Sequence, residues 1–362
     1  MERKIWIMEG LSSQRDIICG INEFTINNNK KPISTYASHG HSRHEILSMA
    51  DFSFSEPKDI NSRISFISSI IKTHRIAAIQ VGKACRWYEQ HRQQIESLGV
   101  NLTTGASQVS TFDIADDKIS FAKAMLAHGL PVVPSIRVTD ANTLEYLLKA
   151  SPFPGCRLCV KPVTGIYGMG FWLLDDRSLS TDIINHPEQR RIHPEQYLAA
   201  VKGSDTFTPL VLMPWLPGPE YSVDILLNRG KVLCAIGRRK EGALQYLENA
   251  GAAVELACAC AEALQADGLV NVQTRHDDAK GQPQLLEINL RPSGGIGYTR
   301  HSGVNLPGLF AALRLDLLTA DAIKHHAAER FTPAAIRVIT ESLLYPPQLD
   351  NALTPSHRKE IK

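Results

Sequence analysis

The residues best suited to chemistry in this 362-residue sequence lie between Leu269 and Arg291, LVNVQTRHDDAKGQPQLLEINLR. The segment predicts two strands joined by a polar turn at Lys280-Gly281. Successive strand residues face opposite ways. Val270 and Val272 therefore share one face, and Gln273 takes the other. On the second strand Leu286 and Ile288 share a face, while Glu287, Asn289 and Arg291 take the opposite one. A turn at Lys280 sets Gln273 roughly across from Glu287. The polar face then offers one carboxylate, two amides and a guanidinium. Magnesium bound through a carboxylate, neutral oxygens and substrate phosphates would use such a set. A solvated sheet face produces the same alternation, so the pattern alone leaves both readings open.

Three neighbouring segments add to this face. Arg291-Pro292-Ser293-Gly294-Gly295-Ile296-Gly297 follows at once, then Tyr298 and Arg300. Closely spaced glycines let backbone N–H groups approach an anion, although a flexible loop reads the same way. VKPVTGIYGMGF places Lys161 at a strand end ahead of Gly165, Gly168 and Gly170. The lysine precedes the glycines and no GK[ST] follows, so this is not a P-loop. It predicts a phosphate clamp, or else a hairpin with a loose turn. LVLMPWLPGPEYSVDIL runs an apolar strand into Pro214, Trp215, Pro217, Gly218 and Pro219, and a new strand opens at Glu220. A rigid hinge suited to a purine ring reads this way. A structural turn around a buried tryptophan is the alternative.

These segments need elements to position them. The first hundred residues alternate strand and helix signals. Strands are predicted at Lys4–Met8, Pro32–Ala37, Ile76–Val81 and Val100–Thr103, and helices at Gln14–Phe24, Ile60–Lys72 and on to about Leu98. Such alternation predicts an α/β unit with a parallel sheet. After about Phe112 the character changes. An acid-capped helix leads into Gly129 and Pro131, then strands dominate at 157–161, 171–174, 210–213, 220–227, 231–236, 269–275 and 284–290. Helices intervene at 141–150, 194–201 and 250–266. The expected organisation is an α/β domain over 1–112, an α+β domain over 113–340 with lobes of about 113–212 and 213–340, and a loose tail over 341–362 containing Pro346, Pro347 and Pro355.

Composition narrows the classes. Lysine plus arginine total 39 against 37 acidic residues, a net charge of +2, which gives no argument for nucleic acid or an anionic membrane as partner. No run approaches the roughly 18 apolar residues of a membrane span. The opening MERKIWIMEG is too short in apolar residues for a signal peptide. Seven cysteines in scattered, apolar contexts suit reduced thiols and a cytoplasmic location. Cys156 and Cys159 have C-x-x-C spacing but enter a strand, where i and i+3 face opposite ways.

Taken in order, DK, VKP with its glycine loop, LPGPEYSVD, NVQ and LEINLRPSGG resemble the ATP-grasp superfamily, most closely its carbamoyl-phosphate-synthetase-like branch. The resemblance runs from about Asp117 to Leu309. There is a looser similarity to ATP-grasp proteins of tellurium-resistance-type stress operons. The resemblance implies a pre-ATP-grasp α/β domain followed by a two-lobed α+β ATP-grasp domain. It implies ATP and Mg2+ as cofactors, and an ADP-forming ligase that activates a carboxylate as an acyl phosphate. Lys118 and Lys161 match the phosphate-holding bases, and both are expected to be exposed. Gly168 and Gly170 match the loop over the triphosphate. Met213, Trp215 and Leu216 match the adenine hinge, and Glu220 the ribose-binding acid. Gln273, Glu287 and Asn289 match the metal ligands. Arg291 matches the arginine facing the transferred phosphoryl group, with Lys161 beside it in catalysis. Two positions depart from the pattern: Met213 stands where many relatives carry an acid, and Gln273 replaces the acid of several branches. That leaves Glu287 as the one clear carboxylate of the site.

Beyond this the sequence implies small-molecule carboxylate and amine substrates, and is compatible with a homodimer. Arg238, Arg239, Tyr298, Arg300 and His301 are candidates for anionic substrate groups, and each also reads as a surface residue. His39, His41 and His44 in SHGHSRHE are candidates for substrate contacts or a metal, or form a solvated loop. Two other classes stay open: an enzyme that uses bicarbonate to carboxylate or to form carbamoyl phosphate, and a nucleotide-binding regulator without turnover.

Overall fold

A computed structural model describes residues 3–24, 33–165, 168–278 and 281–345. Lys280, at the centre of the expected turn, Pro32, and the tail from Pro346 lie outside the described residues. The chain packs as two compact units. One comprises Met1–Phe112, Tyr221–Gln273 and Ile288–Lys362, the other Asp113–Glu220 and Thr274–Glu287.

The first unit opens with a parallel sheet of β1 (Lys4–Gly10), β2 (Ser34–His39), β3 (Phe52–Ser55), β4 (Ala78–Gly82) and β5 (Asn101–Thr103), in the order β3-β2-β1-β4-β5. Parallel strands are buried on both faces, and the sequence supplies apolar side chains for each. Ile5, Ile7, Ala37 and Ala78 cluster with Ile17, Ile18 and Ile21 of the helix Gln14–Glu23 and with Phe310 of the helix Leu306–Arg314. Trp6, Met8, Tyr36, Ile79, Val81 and Leu102 cluster with Ile67 and Ile71 of the helix Arg63–His74. Each such isoleucine, fully buried, stabilises the fold by about 1.5–3 kcal/mol relative to exposure. The single helix expected up to Leu98 is instead two, Cys85–Gln90 and Arg92–Glu96. At the break Arg92 turns to Glu89 (2.7 Å) and to the Leu102 carbonyl (2.7 Å).

The second unit holds a sheet of β6 (Ile136–Val138), β7 (Leu158–Pro162), β8 (Trp172–Leu174), β9 (Arg191–Ile192) and β10 (Leu210–Pro214), ordered β6-β10-β7-β8-β9. Val160, Leu210 and Leu212 pack with Leu144 and with Tyr197 and Leu198, from the helices Ala141–Ala150 and Pro194–Lys202. Cys159, Val211 and Met213 belong to the other face, in a cluster with Val163, Leu173 and Leu216. Lys161, two residues from Cys159 on the same strand, shares that second face.

The third sheet is ordered β15-β14-β11-β12-β13-β16, from β11 (Glu220–Asn228), β12 (Lys231–Glu241), β13 (Leu244–Glu248), β14 (Gly268–His276), β15 (Pro283–Asn289) and β16 (Ala334–Arg337). No helix among the described residues is long and apolar enough to cross a membrane.

Candidate active site

In the second unit a cationic pair forms around one carboxylate. Asp117 caps the helix Lys118–Ala127 by accepting the N–H groups of Ile119 (3.0 Å) and Ser120 (2.8 Å). That cap fixes Lys118 at the first helical position, where its N–H meets the Val163 carbonyl at 3.3 Å. Lys118 Nζ lies 3.7 Å and Lys161 Nζ 3.9 Å from Glu287 Oε2. Both distances exceed those of a hydrogen bond, so the carboxylate faces two cations without closing on either. The lysines are not exposed as the sequence suggests: 9% and 13% of their side-chain surfaces are accessible. A long apolar stem followed by a charge reads alike in both settings. Burial lowers the Lys161 pKa; Glu287 opposes that shift and Lys118 adds to it.

The segment after β10 continues this surface. Met213 and Leu216 are buried, and Trp215 and Leu286 pack against the same cluster. The Trp215 N–H is bound to the Arg157 carbonyl at 2.7 Å, so it is not available to a ligand without losing that bond. The Leu216 N–H has no hydrogen-bond partner among the described residues. Two guanidiniums lie over Trp215, Arg157 at 4.0 Å and Arg275 at 5.5 Å from its ring centre. Arg275 also lies 3.5 Å from Glu220. Sequence reading missed both arginines, since neither falls in a motif. Gly168 and Gly170 follow in the loop after β7, where the Gly168 carbonyl accepts from Arg190. Gly170 has φ +72°, and a Cβ there would sit 2.7 Å from the Pro162 ring.

Leu286 does not share a buried face with Ile288. Leu285 and Ile288 are buried, while Leu286 is half-buried with Met213 and Leu216. Strict alternation therefore fails at Leu285–Glu287, and two consecutive residues serve this surface, Leu286 through its apolar chain and Glu287 through its charge. Asn289 stands two residues beyond Glu287 on the same strand and accepts from Arg291 Nη2 at 3.2 Å.

In the first unit Arg238 lies beneath the glycine-rich loop. It is 4% exposed, not a surface residue. Its Nε donates to Asp224 (2.8 Å), Nη1 to Gln245 (2.9 Å), and Nη2 to Ser222 (2.9 Å) and Ser293 (2.8 Å). Asn271 Nδ2 donates to Asp224 at 3.0 Å and to Ser222 at 3.0 Å. Asp224 is thus a second carboxylate on the third sheet, fully buried and neutralised by Arg238. The alternation in SVDIL and the asparagine of NVQ carried that signal. A Cβ at Gly295 would meet Arg238 Nη1 at 2.5 Å, so a larger residue there would displace the guanidinium. Of the other substrate candidates only Tyr298 joins Arg238, whose guanidinium lies 5.8 Å from its ring. Arg239, on the opposite face of β12, pairs with Glu248 (2.9 Å) and Glu241 (2.7 Å). Arg300 pairs with Glu23 at 2.7 Å, and His301 is exposed.

The described residues contain no group of three His, Cys, Asp or Glu that could hold a metal by itself. Cys156 is exposed and Cys159 buried, both free, and burial pushes the Cys159 thiol up to about 12.

Residues 206–341 match the family described as "ATP-grasp in the biosynthetic pathway with Ter operon". By that match, residues 206–341 are an ATP-grasp segment. The chain is also similar to the carbamoyl phosphate synthase large chain of Thermomicrobium roseum, 29% identical over 208 residues. That match covers 51% of this chain and 17% of the relative, so the chain spans a small part of that protein's length. The chain also superposes on purK, an N5-carboxyaminoimidazole ribonucleotide synthetase solved with ADP (TM-score 0.64, 16% identity, 92% of this chain and 80% of that one). It is similar to the L-amino acid ligase of Bacillus licheniformis (TM-score 0.59, 14% identity, 94% and 81%). The fold is therefore an α/β N-terminal domain followed by an α+β ATP-grasp domain.

Proposed function

We propose that this ATP-grasp protein is an ADP-forming ligase that activates a carboxylate as an acyl phosphate and passes the acyl group to an amine. The observation that carries the reading is the pair of largely buried lysines, each within 4.0 Å of Glu287 and neither hydrogen-bonded to it. Two buried like charges repel, and one carboxylate neutralises only half of them. A polyphosphate supplies the missing negative charge and the acceptors. The Leu216 N–H, without a partner among the described residues and beside Met213 and Trp215, suits the edge of an adenine. Glu220 would take the ribose hydroxyls, and the loop of Gly168 and Gly170 would cover the phosphates.

Magnesium fits as a partner shared with phosphate. Glu287 is a carboxylate with free lone pairs, and Asn289 and Gln273 offer amide oxygens, too few for a metal held by protein alone. Bound there, the ion would neutralise charge on the phosphates. The protein's own part is positioning and charge. Lys118 and Lys161 hold the phosphates, and Arg291 faces the transferred group. The substrate carboxylate oxygen forms a bond to phosphorus as the bond to ADP breaks. The amine then attacks the acyl carbon, and phosphate and a proton leave. Residues 1–112 would act as the pre-ATP-grasp domain, and 113–340 as the ATP-grasp domain.

The match to a carbamoyl phosphate synthase favours a second reading, in which bicarbonate is the carboxylate. ADP release over pooled carboxylates and amines, with mass spectrometry of the products, tests both. Release that depends on bicarbonate selects the second, and no release with any pool leaves only nucleotide binding. Glu287→Gln keeps the shape and removes one charge, so turnover should fall on the order of a hundredfold. Near-parental turnover in the folded variant would remove Glu287 from the site.

A further inference from the structure

Arg275 falls in no motif, and the reaction scheme leaves it unused. It stands one residue before the end of β14, and Glu220 opens β11. Main-chain bonds tie these two ends together. The Gly218 N–H donates to the His276 carbonyl at 3.1 Å, and the His276 N–H to the Pro219 carbonyl at 3.1 Å. Gly218 permits that approach, since a Cβ there would sit 2.7 Å from His276 Cβ. Pro217 and Pro219 restrict the backbone on either side of it. The main chain therefore helps to bring Arg275 Nη1 to 3.5 Å from Glu220 Oε2.

The pair borders the lysine pocket. Burial lowers the Lys161 pKa, and Glu220 joins Glu287 among the carboxylates that oppose it. Burial pushes the Cys159 thiol up, and Lys161 and Arg275 both act against that rise.

Arg275 is held differently from Arg238. Arg238 donates four hydrogen bonds. Arg275 donates none among the described residues. Its 3.5 Å approach to Glu220 is an ion pair beyond the usual N–H···O range, its Nε is buried without a partner, and its remaining contact is the Trp215 ring. A guanidinium only donates and a carboxylate only accepts, whereas a hydroxyl does both. An ammonium could serve Glu220 but not Arg275, and a phosphate could serve Arg275 but would meet the charge of Glu220. A neutral hydroxyl serves the two together. With a base at Leu216 and phosphates at Lys161, the part of a nucleotide left for this pair is its ribose.

We propose that Arg275 is a specificity-determining residue of the nucleotide site: with Glu220 it reads the ribose, a hydroxyl donating to the carboxylate while its oxygen accepts from the guanidinium. This rests on the nucleotide reading of Glu220 and not on which carboxylate is activated. The test is calorimetric titration of the full chain, with magnesium, comparing ATP with dideoxy-ATP, which lacks both ribose hydroxyls. The parent should bind ATP about tenfold or more tightly than dideoxy-ATP. Arg275→Met keeps an apolar chain against Trp215; it should weaken ATP about fivefold or more and dideoxy-ATP by less than about twofold. Arg275→Lys keeps the charge without the planar fork and should fall between the two. An arginine with only a structural role would weaken both nucleotides alike, so a parental ATP to dideoxy-ATP ratio in Arg275→Met would overturn the proposal. Glu220→Gln separates that failure from one in the reading beneath it. A ratio lost in Glu220→Gln but kept in Arg275→Met removes Arg275 alone. A parent that binds both nucleotides equally removes Glu220 from the ribose, and the proposal with it.

Discussion

Two constellations here set positive side chains against a carboxylate, and they are finished differently. Arg238 and Asp224 meet at 2.8 Å, and Ser222, Gln245, Ser293 and Asn271 complete their hydrogen bonds. Lys118, Lys161 and Glu287 stand 3.7 and 3.9 Å apart with capacity left over. Both are shielded from solvent, so burial alone does not separate structure from function. Saturation does: the first group has its hydrogen bonds filled from within, and the second keeps capacity that the proposed nucleotide would fill.

The comparison breaks most visibly if the saturated pair is cut. Asp224→Ala leaves Arg238 buried without its counter-charge, and stability should fall by about 3–5 kcal/mol in urea unfolding. A loss below about 1 kcal/mol would show that Arg238 finds other compensation. The next effect is in the other group. Lys161→Met keeps apolar volume and removes a desolvated cation, so ATP affinity should drop at least tenfold, about 1.4 kcal/mol, while apo stability holds or rises. A large loss of apo stability would make the lysine structural.

The same variant sharpens the comparison through pH. The folded-state pKa of Lys161 lies below its usual 10.5, so the unfolded chain binds more protons there. Its stability penalty is full below the folded pKa and is relieved as pH rises toward 10.5. Any stability advantage of Lys161→Met should therefore shrink over that alkaline range. Unfolding curves at a series of pH values check this, and an advantage that grows with pH would contradict the burial of the charge. The smallest effect is expected from the exposed Arg300–Glu23 pair: Arg300→Ala should change stability by no more than about 1 kcal/mol and leave ADP release unaltered.

Much of this was legible in the residues. Alternation placed β14 and β15, and the acidic cap before Lys118 set the helix start. What sequence hid were partners distant along the chain. Nothing local distinguishes Arg238 from Arg239, yet one is enclosed by Asp224 and Ser293 and the other lies at a half-exposed strand face. Lys118 and Lys161 looked exposed because a lysine's type says nothing of the surface around it. The edge strand β3, FSFS, went unseen because four residues give too short a period to read, and its neighbour β2 supplies the reason it is a strand.

The central claim is that the unsaturated cluster is a metal–nucleotide site. Calorimetric titration of ATP into the protein with magnesium, and again with EDTA, tests it most directly. The account predicts tight binding with magnesium and at least tenfold weaker binding in EDTA, because Glu287 would then face the phosphates with no magnesium between them. Equal affinity under both conditions would contradict it.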